Sequence, residues 1–133
     1  MLNRPIKVAV YCRVGHPDQL AADNQVRLMR QYAQELGIND LSLYVDNGYS
    51  GTSLERPAFS QMNADIRADA FHAVLTLDYA RIARSYQLFN QWTIAMREMG
   101  IRVMYAKQPD NDAQALIRQN LTHTAKKKKA FSD

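Results

Sequence analysis

A single cysteine in 133 residues excludes an intrachain disulfide and any cysteine-held metal. Cys12 lies inside an apolar stretch, where a small buried hydrophobe is the expected role. The three histidines, His16, His72 and His123, share no ligand spacing, so neither a metal nor another cofactor is expected. No apolar run approaches the roughly 18 residues of a membrane span. No apolar segment follows the charge at Arg4 as it would in a signal peptide, so the expected location is the cytoplasm, with no membrane partner. Internal repeats are absent. Neither G-x-G-x-x-G after the first strand nor G-x-x-x-x-G-K-[ST] occurs, which removes the common nucleotide-binding loops.

What remains is an ordinary globular composition, 47% hydrophobic and 23% charged, in a length that suits one domain. Net charge is +4 and the pI about 9.3, a weak preference for an anionic partner. Much of that excess sits in Lys126, Lys127, Lys128 and Lys129, within a polar segment from Thr122 onward. The expected division is therefore a folded domain over 1–121 and a flexible, lysine-rich tail over 122–133. The lysines either contact phosphates or form a solvated tail.

Along the chain, apolar β-branched runs alternate with helical periodicity. Ile6–Val14, Leu41–Val45, Phe71–Leu77 and Ile101–Tyr105 read as strands. Asp18–Leu36 carries Ala22, Val26, Met29, Ala33 and Leu36 on one helical face, and Gly37 ends it. Pro57 opens a short helix with Phe59, Met62 and Ile66 inward. Ser85–Met99 is a third helix, with Leu88, Trp92, Ala95 or Met96, and Met99 inward, and Asp112–Leu121 starts a fourth. This order predicts an α/β fold: a three-layer α/β/α sandwich around a mainly parallel sheet of about four to five strands.

In such sheets the working residues collect at the carboxyl ends of the strands. Arg13 closes the first strand. Asp46 follows the second, and the polar loop Asn47–Arg56 behind it carries Ser50 and Arg56. Asp78, Arg81 and Arg84 follow the third. Guanidiniums repel one another, so a cluster is best tolerated around an anion, and the planar fork of arginine suits phosphate. The competing reading is solvated loop arginines, some paired with Asp18, Asp46, Glu55 or Asp78.

These segments resemble a family. V-A-V-Y-C-R-V (8–14) is similar to the opening strand of serine recombinases, where Y-x-R-V-S ends on the nucleophile. D-N-G-Y-S-G-T-S-L-E-R-P-A-F (46–59) resembles D-x-G-x-S-G-T-x-x-x-R-P-x-F of the large serine recombinases and their transposon relatives. R-I-A-R-S (81–85) resembles R-[LF]-[AG]-R-[ND], Asn24-Gln25 matches a common feature of the first helix, and Gln19 matches the glutamine soon after the nucleophile. The likeness runs in order over about four-fifths of the chain. It implies a resolvase-like fold and site-specific DNA recombination through a 5′-phosphoserine link, without metal or nucleotide. It also implies DNA as partner, a homodimer, and a synaptic tetramer in active members. By resemblance Arg13, Arg56, Arg81 and Arg84 hold the scissile phosphate, with Gln19, Ser50, Asp46 and Asp78 in support.

Three departures matter. Gly15 occupies the nucleophile's position and has no side-chain atom to attack phosphorus, so strand cleavage is expected to be lost. His16, Ser50 and Ser53 are neighbours but poor substitutes. Ala80 stands where many members carry an acidic residue or serine before the first arginine. Members also continue into a long helix and a DNA-recognition domain; here the sequence stops after the lysine run, and neither a helix-turn-helix nor a zinc-binding domain is expected in what remains. The expected molecule is thus a cleavage-deficient recombinase domain, by engineering, as a natural pseudoenzyme, or as a degenerate mobile-element remnant, the last being disfavoured by the retention of every arginine. The alternative is a non-catalytic module that dimerises with or regulates an active recombinase.

Overall fold

Four strands form one sheet: β1 (Lys7–Val14), β2 (Asp40–Asn47), β3 (Ala73–Thr76) and β4 (Arg102–Tyr105). Their order is β2-β1-β3-β4 and every pairing is parallel. The computed structural model describes residues 6–107. The helix expected over 112–121, the boundary at 121 and Lys126–Lys129 lie outside the described residues. Four helices connect or follow the strands: α1 (Gln19–Glu35), α2 (Pro57–Ala68), α3 (Tyr79–Ile82) and α4 (Tyr86–Glu98).

The strand order follows from burial. β1 and β3 are apolar because both of their faces are covered; Val8–Arg13 and Ala73–Thr76 are buried throughout. β2 is an edge strand and mostly half-buried, which is why its sequence mixes Asp40 and Ser42 with apolar residues. The chain runs from β1 outward to β2 and then returns past β1 to build β3. With crossovers of one hand, that reversal sends the helices to opposite faces.

Side chains alternate between those faces with a period of two. Val8, Val10, Cys12 and Leu75 pack against Met29 and Ala33 of α1. Ala9, Tyr11 and Val74 pack against Phe59, Met62 and Ile66 of α2 and Phe89, Trp92 and Met96 of α4. Arg13, in step with Ala9 and Tyr11, therefore emerges on the α2–α4 side. Asp18 caps α1 by accepting from Ala21 N at 3.0 Å, and Ser85 caps α4 by accepting from Leu88 N at 3.3 Å. Gly37 and Gly100 follow the helices with φ of 78° and 77°, a backbone other residues rarely adopt.

Some expectations shift. The inward face of α4 is Phe89, Trp92 and Met96; Leu88 is partly buried and Met99 is exposed, because the helix ends at Glu98 and Met99 turns outward as its cap. On α1 the fourth buried position is Gln25, with Val26 only partly covered. The four-residue α3 has no counterpart in the sequence reading, since one turn is too short to display a period.

Burial pushes the Cys12 thiol up to about 12 from 9.0, and Tyr11 and Tyr105 are pushed up as well, again chiefly by burial. These groups hold their protons more tightly when folded than unfolded. Their contribution is intact below pH 9 and is lost as pH rises, for Cys12 between 9 and about 12. The urea midpoint should therefore fall between pH 8 and 11, and Cys12→Ala should flatten part of that decline.

Candidate functional site

The sheet reverses its winding between β1 and β3, so the crevice beyond their carboxyl ends is the switch point where α/β sheets bind ligands. Arg13 enters it from β1, Arg56 from the start of α2, and Arg81 and Arg84 from the segment after β3. The structure brings all four to this edge, in two tiers.

Arg13 and Arg56 form the inner tier, 5% and 2% exposed. Arg13 donates from Nε to Arg81 O (2.9 Å), from Nη1 to Tyr49 O (2.9 Å) and from Nη2 to Ala80 O (2.7 Å). Arg56 donates from Nη1 to Arg81 O at 3.3 Å and from Nη2 to Ile82 O. The carbonyls of Ala80, Arg81 and Ile82 lie at the carboxyl end of α3, where helical carbonyls lack partners and favour positive charge. Arg56 also lies over the rings of Phe59 (4.6 Å) and Tyr11 (5.5 Å). Burial holds both guanidiniums below their ordinary value, and for Arg13 the charges of Arg56, Arg81 and Arg84 add to that. Arg13 has five N–H groups and spends three on these carbonyls, so two remain.

Arg81 and Arg84 form the outer tier. Arg81 is partly exposed, reaches Arg13 O at 3.5 Å and faces Asp78 at 3.7 Å. Arg84 is exposed, and its backbone N–H donates to Gly51 O at 2.9 Å. Among the described residues the only other ion pair is Lys7 with Asp69, so Asp78 is the single carboxylate in salt-bridge range of this cluster.

Asp46 is buried and its oxygens are taken. Oδ1 accepts from Ala58 N (2.8 Å), and Oδ2 accepts from Phe59 N (3.0 Å) and the Tyr11 hydroxyl (2.7 Å). It caps α2 from a neighbouring strand, in place of the Arg56 position, whose side chain makes no cap bond. Gln19 is exposed, donates to Asp23 at 2.9 Å and accepts from Asn47 at 3.5 Å. Ser50 is exposed and turns back on Thr52, whose N–H it accepts at 3.1 Å. Neither touches an arginine in any described hydrogen bond.

Gln25 supplies what periodicity could not suggest. Its buried amide accepts from Arg13 N at 3.1 Å and donates to Arg13 O at 3.2 Å. Register with β3 stops at Tyr11, so these groups of Arg13 have no strand partner on that side, and Gln25 satisfies both. A polar residue on the apolar stripe of α1 was the available signal.

Two glycines border the arginines. A Cβ on Gly51 would lie 2.8 Å from both Arg13 Nη2 and Arg84 Cγ. Arg13 is pinned by its carbonyl partners and cannot yield freely. Gly51→Ala should therefore destabilise the domain by about 1–3 kcal/mol, visible as a lower thermal midpoint. An unchanged midpoint would mean that Arg13 is held loosely. At Gly15, by contrast, a Cβ meets, among the described residues, only Arg13 Nη1, at 3.8 Å, within ordinary contact, and φ is not in the left-handed region.

A four-stranded parallel sheet in this order, helices on both faces and arginines at its switch point define an α/β domain of resolvase type. The chain matches the Resolvase, N terminal domain family over residues 8–130, and it belongs to that family. A Bacillus subtilis (strain 168) protein described as a DNA recombinase is 28% identical over 132 residues. That alignment covers 91% of this chain and 25% of that protein, so the chain spans about a quarter of its relative's length. The N-terminal catalytic domain of TP901-1 integrase superposes with a TM-score of 0.70 at 26% identity, over 96% of this chain and 99% of that one. The C-terminal catalytic domain of ISC1926 TnpA, an IS607-like serine recombinase, gives 0.71 at 19% identity, over 96% and 87%. A resolvase family site-specific recombinase from Streptococcus pneumoniae gives 0.66 at 22%, over 94% and 90%; these last two likenesses are of fold.

Proposed function

We propose that this domain holds a DNA phosphodiester in the arginine crevice and, with Gly15 at the nucleophile's position, does not cut it. Membership of the family supports a role in DNA recombination. The observation that carries the reading is the charge imbalance: four converging guanidiniums with one carboxylate in salt-bridge range among the described residues. In this reading Arg81 and Arg84 meet the phosphate directly. Arg13 offers its remaining N–H groups from behind, and Arg56 acts by holding the α3 carbonyls. Asp78 orients Arg81, while Asp46 acts through α2. Gln19 and Ser50 reach the DNA only from the rim, and Lys126–Lys129 add phosphate contacts outside the crevice. No metal or cofactor enters the scheme. The working form is a cytoplasmic homodimer, in which a 1–121 domain precedes a lysine-rich tail.

Binding of a labelled duplex by fluorescence anisotropy tests this. Affinity should fall steeply with salt, and Arg84→Ala should weaken it on every sequence while lowering the salt slope by about 1. If Arg81→Ala and Arg84→Ala both leave affinity unchanged, the crevice does not hold DNA phosphate. The absence of a nucleophile at Gly15 also favours a second reading, in which the domain joins an active recombinase and silences it. That reading expects mixed oligomers and dominant inhibition, and separate elution from every active relative would remove it.

A further inference from the structure

The described residues include eleven aromatic side chains, and the exposed ones are Tyr49, Tyr79 and Tyr86, at 41%, 50% and 57%. All three stand at the carboxyl end of the sheet, beside the arginines. The Tyr49 carbonyl accepts from Arg13. Tyr79 and Tyr86 bracket Arg81 and Arg84 in sequence, and both rings lean on Phe89, with centroids 5.4 and 6.4 Å away. Phe89 rests in turn on Tyr105 at 6.3 Å. The two exposed rings are thus backed by a buried aromatic and held in place.

A phosphate needs the arginines alone. Exposed aromatic faces add something only for a ligand with flat apolar faces of its own. Within duplex DNA the base faces are covered by their neighbours; in an unpaired strand they are open, and base–aromatic stacking is then strong and tolerant of sequence. Rings that flank the arginines at one edge of the sheet fit a strand of phosphates and bases. We propose that Tyr79 and Tyr86 form a stacking platform for unpaired bases of a DNA strand whose phosphate lies on Arg81 and Arg84. This rests on the phosphate reading above and adds a preference for locally opened DNA over intact duplex.

The test compares a fluorescein-labelled single-stranded oligonucleotide with the matching duplex, by anisotropy on the full 133-residue chain. Because Tyr79 packs on Phe89, Tyr79→Leu and Tyr86→Leu accompany the alanine variants and keep an apolar side chain there. Single-strand affinity should fall roughly tenfold per ring removed, with duplex affinity nearly unchanged, and Tyr79→Phe and Tyr86→Phe should retain it. If the arginine variants weaken binding and the leucine variants do not, the platform is wrong and the phosphate site stands. If the leucine variants instead change the oligomeric state by light scattering while single-strand affinity holds, the rings serve a second copy of the chain and the platform is overturned. If the unsubstituted chain binds neither DNA, both readings fail together.

Discussion

Gly15→Ser should convert a chain that leaves DNA intact into one that forms a covalent protein–DNA adduct. The backbone at position 15 is outside the left-handed region, and among the described residues the only atom within 4 Å of an added Cβ is Arg13 Nη1, at 3.8 Å. Serine therefore enters without strain, and its hydroxyl starts beside a guanidinium already fixed by three hydrogen bonds. Positive charge placed where a phosphorane's charge develops is the main contribution a protein can make to phosphoryl transfer without a metal. In the step, serine Oγ bonds to phosphorus, the P–O3′ bond breaks, and the hydroxyl proton ends on the departing 3′ oxygen. An SDS-resistant, protease-sensitive species on a pool of short duplexes is the expected readout, at high protein concentration. Arg84→Ala in the same background should abolish it. Because position 15 is exposed, thermal stability should change by less than about 0.5 kcal/mol. A well-folded serine variant that yields no adduct would sink the idea of an intact latent centre.

Asp46→Ala carries the largest expected loss of stability. The substitution leaves a buried Tyr11 hydroxyl and the first N–H groups of α2, those of Ala58 and Phe59, without their acceptor. The orphaned Tyr11 hydroxyl costs about 1–3 kcal/mol and the lost cap, which comprises the two backbone donors, about 1. A total of roughly 2–4 kcal/mol lowers the midpoint of a domain this size by on the order of 10 °C. Asp46→Asn keeps one acceptor oxygen and should fall between. A midpoint that stays put, with DNA affinity lost, would move Asp46 from cap to phosphate site.

The strands were legible because β1 and β3 are buried on both faces and write continuous apolar runs; the alternating order then dictated the layers. Arg13, Arg56, Arg81 and Arg84 were legible as a group because strand ends in such a sheet share one edge. Their division into two tiers was not. Which guanidinium faces a carbonyl and which faces solvent depends on how α3 packs, and α3 is one turn long. Likewise Asp46 read as a supporting site residue or an arginine partner because its partners Tyr11, Ala58 and Phe59 lie up to 35 positions away in sequence. Gln25 was legible only as a family match in the first helix; the early end of β3 pairing explains why an amide belongs there.

The carbonyls of Ala80, Arg81 and Ile82 are held by Arg13 and Arg56 whether or not DNA is ever broken. Selection on folding alone would then preserve this inner pair in a lineage that had abandoned catalysis. Arg81 and Arg84 enjoy less of that protection. In descendants drifting away from recombination, the outer pair should decay first, and a sequence that retains only Arg13 and Arg56 would be a relic of architecture without chemistry.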